Sequence, residues 1–208
     1  MSKHEAIFFK DDAVVNRAPL LFTSGEDNGE KDWKIWNAFR SSNREAFDYI
    51  FREHASKLFA YGSKFTRNED LVLDCIQDLF VGLWNSRQRL SETRNIKFYL
   101  LKALRHRLTR TLHKEKRLVA IAEDARYLEE GINFSIEHEF MLQETEQSRK
   151  AHLRRAIDGL TKRQQEVVYL KFFQGLNNEA IGSMMDLEPS SVSTLLSQAV
   201  RALRAVFA

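Results

Sequence analysis

The stretch from Leu160 to Leu203 constrains the fold most, because helix start, turn and stop signals follow one another along it at helical spacing. Thr161 with Gln164 three residues later is a capping box, the reciprocal hydrogen-bond pattern that starts a helix. Gly175 is suited to end that helix. The apolar side of this first helix is predicted to hold Val167, Val168, Leu170 and Phe172.

A second helix and a tight turn follow. Asn177 or Asn178 can cap the second helix. Asp186 falls where the chain must turn sharply, at a backbone position that Gly, Asn and Asp tolerate best. Pro189 suits the first turn of a last helix, where its missing N–H costs nothing. The inward stripe of that last helix is predicted to be Val192, Leu195, Leu196, Ala199, Val200 and Leu203.

The outward face of the last helix carries mainly small polar side chains. Two helices joined by a tight turn, the second presenting such a face, are typical of units that enter a DNA major groove. The alternative is a helical hairpin that only packs. The predicted outward residues are Ser190, Ser191, Ser193, Thr194, Ser197, Gln198, Arg201 and Arg204.

Composition favours helices throughout. The 208 residues can form one large or two small domains, and they include only 2 prolines and 8 glycines. We therefore predict an all-α protein of two small helical domains joined by an acidic linker. The predicted boundaries are an N-terminal arm over residues 1–31, a helical domain over 32–117, the linker over 118–137 and the helix-turn-helix domain over 138–208.

The first helical domain is predicted to contain four helices. The third runs from about Glu69 to Arg89, a polar loop covers residues 90–95, and the fourth runs from Ile96 to about Lys116. Charge is uneven beyond that loop. Nine Lys or Arg lie against one acid in residues 94–117, a net charge of +8, whereas eight acids lie against one base in residues 118–148. A one-sided basic helix indicates a polyanionic partner.

No catalytic chemistry is apparent in the sequence. It contains no glycine-rich phosphate loop, no Cys/His pattern with zinc spacing and no histidine near the serines of the last helix. We predict no enzyme activity, no cofactor, no metal and no small-molecule substrate. The single Cys75 fits a buried thiol, and the absence of a long apolar run predicts a soluble cytoplasmic protein that does not insert into membranes.

Two blocks of the chain resemble the bacterial RNA polymerase sigma factors of the extracytoplasmic-function kind. AFDYIFREHASKLFAYGSKF followed by DCIQDLFVGLW resembles their domain that binds polymerase and opens the minus-10 promoter element. The stretch from Leu160 resembles their domain that reads the minus-35 element. The resemblance implies a transcription initiation factor that binds core RNA polymerase, directs it to a subset of promoters and assists melting. It also implies an anti-sigma factor as a partner.

The resemblance also implies roles for particular residues. The polymerase-binding face would be Asp74, Gln77 and Asp78. The pocket for a flipped minus-10 base would use Ser91, Thr93 and Asn95. The minus-10 backbone would be held by the basic helix, through Lys97, Lys102, Arg105, His106, Arg107, Arg110 and Lys114. The outward face listed above, without Arg204, would read the minus-35 element. The phosphate contacts would be Lys162, Arg163, Lys171, Asn178 and Arg204.

The chain departs from the family pattern at three places. His106 and Arg110 stand where the family has an Asn and then an Asp, which makes the helix more basic. Gly182 and its neighbours Ala180 and Ile181 replace a Glu-Ile-Ala run, which removes a polar group near the DNA. Serines replace the usual Lys or Arg early in the recognition helix, so discrimination should depend on hydroxyls, water and DNA shape.

Two other functions fit parts of the sequence. A stand-alone helix-turn-helix regulator would use the same C-terminal unit, but it predicts a ligand-binding or phosphoacceptor N-terminal domain. A DNA recombinase would need a catalytic serine with arginines or a metal-binding carboxylate set. Binding to core polymerase without DNA distinguishes the sigma factor from both.

Overall fold

The computed structural model describes residues 28–122, 134 and 156–207. Its helices are α1 (Asn28–Arg40), α2 (Arg44–Gly62), α3 (Glu69–Ser86), α4 (Ile96–Ala122), α5 (Lys162–Val168), α6 (Asn178–Met185) and α7 (Pro189–Phe207). A 3-10 turn, Arg87–Arg89, follows α3, and a π-helical turn, Tyr169–Phe173, follows α5. The described residues contain no strand, and the all-α prediction is confirmed.

The described residues form two compact units. The first comprises residues 28–53 and 86–96, and the second comprises residues 54–85 and the described residues from 97 onward. Most of the predicted N-terminal arm and of the acidic linker lies outside the described residues. Residues 28–31 of the predicted arm belong to α1, which begins at Asn28. Helix α4 extends to Ala122 rather than ending near Lys116. No helix in the described part of the chain is long and apolar enough to cross a membrane.

The first unit is built around an aromatic core. Trp36 is 0% exposed, and its ring centroid lies 5.4 Å from that of Phe39. Phe39 in turn stacks on Phe47 at 5.8 Å. Asn43 caps α2, as its spacing before the apolar run suggests, because its side-chain oxygen accepts a hydrogen bond from Ala46 N at 2.9 Å.

The helix-turn-helix forms where the local signals place it. Thr161 and Gln164 make both hydrogen bonds of the capping box, and Asn177 rather than Asn178 caps α6 through the N–H of Ala180. Asp186 adopts φ 56°, the left-handed conformation that turns the chain between α6 and α7. Pro189 is the first residue of α7. The predictions for the capping box, the turn and the start of α7 are therefore confirmed.

Phe172 is the exception in this stretch. Val167, Val168 and Leu170 are buried as predicted, but Phe172 is 65% exposed. The reason is the π-helical turn, in which Gln174 N donates to Tyr169 O at 3.1 Å, five residues back. The wider turn contains Phe172 and rotates its side chain away from the position that an α-helical periodicity would give it. The prediction that Phe172 belongs to the apolar side is wrong.

Candidate nucleic-acid interface

Helix α3 presents an acidic face opposite a buried one. Asp74, Gln77 and Asp78 are all exposed. The opposite side buries residues that include Ile76, Leu79 and Phe80, so the helix is amphipathic and its acidic face is available to a partner. Asp78 makes one contact there, an ion pair of 3.1 Å with Arg107 of α4.

The ion pair between Asp78 and Arg107 links the acidic face of α3 to the basic helix α4, but it contributes little to stability. The side chains of Arg107 and Asp78 are 38% and 69% exposed, and exposed pairs contribute about 0.2–1 kcal/mol.

Cys75 of α3 is buried, its Sγ lies 3.9 Å from the Thr111 hydroxyl of α4, and burial raises the pKa of its thiol. The thiol is therefore part of the α3–α4 packing.

The loop over residues 90–95 is held by its backbone and by Glu92. The indole N–H of Trp36 donates to Ser91 O at 2.8 Å. Glu92 accepts hydrogen bonds from Trp33 at 3.2 Å and Arg40 at 3.3 Å. These contacts leave the side chain of Ser91 exposed at the surface of the loop. The part that Glu92 plays was not foreseen from the sequence.

The end of the loop is fixed by two hydrogen-bonded pairs. Thr93 Oγ1 accepts from Asn95 N at 3.1 Å. Asp32 of α1 accepts from Ile96 N at 2.8 Å and so caps α4 from a distant part of the chain. Burial raises the pKa of Asp32, and the hydrogen bond from Ile96 opposes part of that rise. The predicted base pocket is thus a loop with an ordered backbone.

The basic residues of α4 fall on two sides of the helix. His106, Arg110 and Lys114 are exposed. By contrast Arg105 is only 8% exposed, and Lys97 and Lys102 are half-buried. The structure therefore does not present the predicted phosphate-binding set as one surface.

The less exposed residues of α4 contact the segment from α5 to α6 of the same unit. Lys97 Nζ donates to Gln174 O at 3.2 Å, and Lys102 Nζ donates to Ser183 Oγ at 2.8 Å. Burial, with a smaller contribution from the charge of Lys57, lowers the pKa of Lys97.

Arg105 makes the strongest of these contacts. Its Nε lies 2.7 Å from Glu166 Oε1, and its Nη1 donates to Met184 O at 3.1 Å. The Tyr61 hydroxyl donates to the same Glu166 oxygen at 3.0 Å. Burial disfavours the charge of Arg105, but the Glu166 carboxylate outweighs it and raises the pKa of the guanidinium.

Sequence reasoning did not identify Glu166. The available signal was the spacing of Glu166, which lies three residues before Tyr169 and four before Leu170. At helical spacing the acid therefore shares a face with two buried side chains. A charge on an inward face requires a partner. Its partner is distant in sequence, and the pattern within α5 does not reveal it.

The outward face of α7 is exposed along its length. All seven predicted reading residues are exposed: Ser190, Ser191, Ser193, Thr194, Ser197, Gln198 and Arg201. Of the predicted phosphate contacts, Lys162, Arg163 and Arg204 are also exposed, whereas Lys171 and Asn178 are half-buried. The α7 face is therefore continuous and polar.

Several of these side chains already bind one another. Lys171 donates to Asn178 Oδ1 at 3.1 Å, and Asn178 Nδ2 donates to Ser193 Oγ at 2.9 Å. The Ser193 hydroxyl donates to Pro189 O at 3.1 Å. This chain of hydrogen bonds fixes the Ser193 side chain and links the first turns of α6 and α7.

The Tyr61–Glu166 contact predicts an alkaline dependence of stability. Burial, and then the Glu166 charge, raise the pKa of Tyr61 well above its ordinary value near 10. Above that ordinary value the unfolded chain releases the Tyr61 proton while the folded chain keeps it, so stability falls as pH rises. We expect the stability advantage of wild type over Tyr61→Phe to shrink above pH about 10.

Urea unfolding of both proteins between pH 8 and 11 measures that advantage as the difference between their free energies of unfolding. Groups that the two proteins share titrate equally in both, so their contribution cancels in this difference. At neutral pH it should be about 1.5–3 kcal/mol, the value of a hydrogen bond to a charged group. A difference that stays constant up to pH 11 would contradict the assigned role of Tyr61.

A helix-turn-helix and a basic helix within one chain are typical of a class of DNA-binding proteins. Two family models match the chain: Sigma-70 region 2 over residues 50–118 and Sigma-70, region 4 over residues 151–203. The chain belongs to the sigma-70 family and is a sigma factor for transcription initiation. The sequence-based recognition is confirmed.

Solved structures share the fold. The sigma factor RpoE from Bartonella quintana, solved with the anti-sigma factor NepR, is 17% identical with a TM-score of 0.57, and the match covers 77% of this chain and 96% of that one. CnrH, solved with the cytosolic domain of CnrY, is 18% identical with a TM-score of 0.56, covering 87% and 97%. No curated protein matches the chain significantly.

Proposed function

We propose that this sigma factor binds core RNA polymerase through α3, holds the minus-10 element with the 90–95 loop and α4, and reads the minus-35 element with α7. The observation that carries this proposal is the presence of three exposed sets of side chains of suitable chemistry. They are the acidic face of α3, the residues His106, Arg110 and Lys114 of α4, and the polar face of α7. The chain acts as a binding protein in the cytoplasm, where its polymerase is, and has no catalytic role.

The α3 surface suits a basic helical partner. Asp74 and Asp78 are four residues apart and therefore adjacent on one face of the helix, with Gln77 beside them. All three are exposed. Carboxylates in this arrangement attract cationic side chains and speed association.

Recognition by α7 depends on hydroxyl and amide groups. Gln198 and Arg201 are the longer side chains on the exposed face, and the remainder are mostly serines. Bidentate arginine contacts to guanine are therefore few, and water-mediated contacts and DNA shape contribute more to discrimination. Polymerase contacts supply the affinity that α7 lacks, because two linked weak contacts reinforce one another.

An anti-sigma factor is the proposed regulatory partner. The solved neighbour RpoE was captured with the anti-sigma factor NepR, and CnrH was captured with the cytosolic domain of CnrY. The matches cover 96% and 97% of those two chains, which supports a protein partner of the same kind for this chain.

Co-migration with purified core RNA polymerase on a sizing column tests the polymerase contact. We expect wild type to bind without DNA and the Asp74→Arg, Asp78→Arg double variant to bind at least about tenfold more weakly, because reversed charges repel the basic partner. The matched control is Glu45→Arg, Asp48→Arg, which makes the same charge change at exposed positions of α2.

Equal loss in both double variants would show a general charge effect and contradict the assignment to α3. Failure of the wild type to bind core would contradict the proposed polymerase contact. A stand-alone helix-turn-helix regulator would then be the alternative, and it would bind its operator without polymerase.

A further inference from the structure

Helix α1 holds the loop over residues 90–95 near both of its ends. The indole N–H of Trp36 donates to Ser91 O at 2.8 Å, close to the start of the loop. Asp32 Oδ2 accepts from Ile96 N at 2.8 Å, directly after the loop. The partners lie 55 and 64 residues apart in the sequence, so neither contact is local. One helix of the first unit therefore fixes where the loop begins and where it ends.

Glu92 attaches the middle of the loop to the same helix. Its Oε2 accepts from the indole N–H of Trp33 at 3.2 Å, and its Oε1 accepts from Arg40 Nη1 at 3.3 Å. The Glu92 side chain is 62% exposed, yet a carboxylate repels the phosphates of DNA. Glu92 is therefore suited to hold the loop against α1 and unsuited to hold the DNA backbone.

The hydrogen bonds inside the loop are local. Thr93 Oγ1 accepts from Asn95 N at 3.1 Å and donates to Asn95 O at 3.3 Å. Hydrogen bonds between residues two positions apart fix the shape of a turn. They do not fix its position within the domain, so that position depends on the contacts with α1.

The supporting residues of α1 are less exposed than the loop residues that they support. Ser91 and Asn95 of the loop are exposed. Asp32 and Trp33 are half-buried, and Trp36 is 0% exposed. Side chains that bind a ligand need supporting residues whose own positions are locked by packing. Helix α1 meets this requirement for the two exposed loop residues.

Helix α1 lies outside the part of the chain that the family model matches. Sigma-70 region 2 matches residues 50–118, whereas α1 ends at Arg40. Neither Asp32 nor Glu92 is among the residues expected to touch DNA. A role for them in placing the loop is therefore additional to the DNA contacts that the resemblance implies.

We propose that α1 positions the loop over residues 90–95 for base capture, with Asp32 and Glu92 as positioning residues that set base selectivity without touching the base. The inference rests on the proposed minus-10 role of that loop. A flipped base is read by hydrogen bonds to its edge inside a close-fitting pocket, so a displaced loop loses discrimination between bases. Phosphate contacts depend mainly on charge and are less sensitive to such a displacement.

The base selectivity of the holoenzyme tests this inference. Core RNA polymerase carrying the full chain binds a pool of duplexes with a randomised central segment, and the bound duplexes are sequenced. The position read by the loop is the minus-10 position at which the double variant Ser91→Ala, Asn95→Ala loses its base preference. The measured quantity is the selectivity ratio, which is the enrichment of the best base over the worst base at that position.

We expect Asp32→Ala and Glu92→Ala each to lower the selectivity ratio at least about fivefold, because one mismatched base pair changes affinity by about that factor or more. Asp32→Asn should keep the ratio within about twofold of wild type, since the amide oxygen also accepts a hydrogen bond at a helix N-terminus. The matched control Glu30→Ala removes an exposed acid of α1 and should leave the ratio unchanged. In these four variants, selectivity at the minus-35 element and co-migration with core polymerase should stay as in wild type.

A second double variant separates positioning from direct contact with the base. If Glu92 acts through α1, removing the indole donor of Trp33 has no further effect once Glu92 is absent. The variant Trp33→Phe, Glu92→Ala should then lower the selectivity ratio no more than Glu92→Ala alone does. Losses that multiply would show that Glu92 acts independently of Trp33, and they would overturn its positioning role.

A wild-type ratio in Asp32→Ala or in Glu92→Ala would overturn the inference and leave the minus-10 role of the loop intact. By contrast, if Ser91→Ala, Asn95→Ala keeps every base preference, the loop reads no base, and both the minus-10 role and the inference fail. Should Asp32→Ala lose core binding through misfolding, Glu92→Ala decides the outcome, because the Glu92 side chain is exposed and its truncation leaves the core intact.

Discussion

Replacing Trp36 by alanine is expected to lower the free energy of unfolding of the first unit by about 3–5 kcal/mol, the usual cost of truncating a large buried aromatic side chain. Trp36 is 0% exposed and packs against Phe39. Its indole N–H also holds Ser91 O at 2.8 Å, so the same substitution should loosen the loop over residues 90–95. Thermal unfolding and hydrogen exchange at the loop amides measure the two effects.

The control separates packing from hydrogen bonding. Trp36→Phe keeps most of the ring volume and removes only the donor, so we expect a smaller loss, of which the missing hydrogen bond accounts for about 1 kcal/mol. Loop exchange should rise in both variants. If Trp36→Phe leaves exchange at Ser91 and Glu92 as in wild type, the indole hydrogen bond does not order the loop, and the proposed minus-10 pocket must be held by other contacts.

Replacing Phe134 by alanine is expected to have the second large effect. Phe134 is 1% exposed among Tyr61, Phe65 and Tyr169, with ring-centroid distances of 5.1 to 6.1 Å. Losing the ring leaves a cavity at the centre of that cluster, which costs about 3–5 kcal/mol where the site cannot collapse. The free energy of unfolding of the second unit, measured in urea, should fall by this order.

Phe134→Leu is the matched control, because it stays apolar and loses less volume. We expect it to cost less than half as much as alanine. Equal losses in the two variants would show that the aromatic contacts, rather than filled volume, stabilise the cluster. An alanine variant as stable as wild type would mean that Phe134 does not hold the second unit together.

The features that were predicted correctly from the sequence are those that depend on residues close together in the chain. The capping box at Thr161, the cap at Asn177 and the left-handed turn at Asp186 all depend on hydrogen bonds or backbone preferences within a few residues. Such interactions are encoded locally, so composition and spacing reveal them. The exposed face of α7 was predictable for the same reason, because helical periodicity alone decides which side chains point outward.

The features that were missed depend on contacts between distant parts of the chain or on a non-standard turn. Arg105 and Glu166 pair across a sequence separation of 61 residues, and no pattern within either helix shows that they meet. Net charge along α4 indicated a single basic surface, but packing divides it. Phe172 was misplaced because an α-helical period was assumed through a π-helical turn.

Phe134 also brings distant parts of the chain together at one point. Its ring contacts Tyr61 and Phe65, near the end of α2, and Tyr169, directly after α5, at separations of 73, 69 and 35 residues along the sequence. A contact between residues so far apart costs more conformational entropy to form than a contact between neighbours does. The cluster around Phe134 is therefore expected to assemble late in folding, after the helices whose start and stop signals are local.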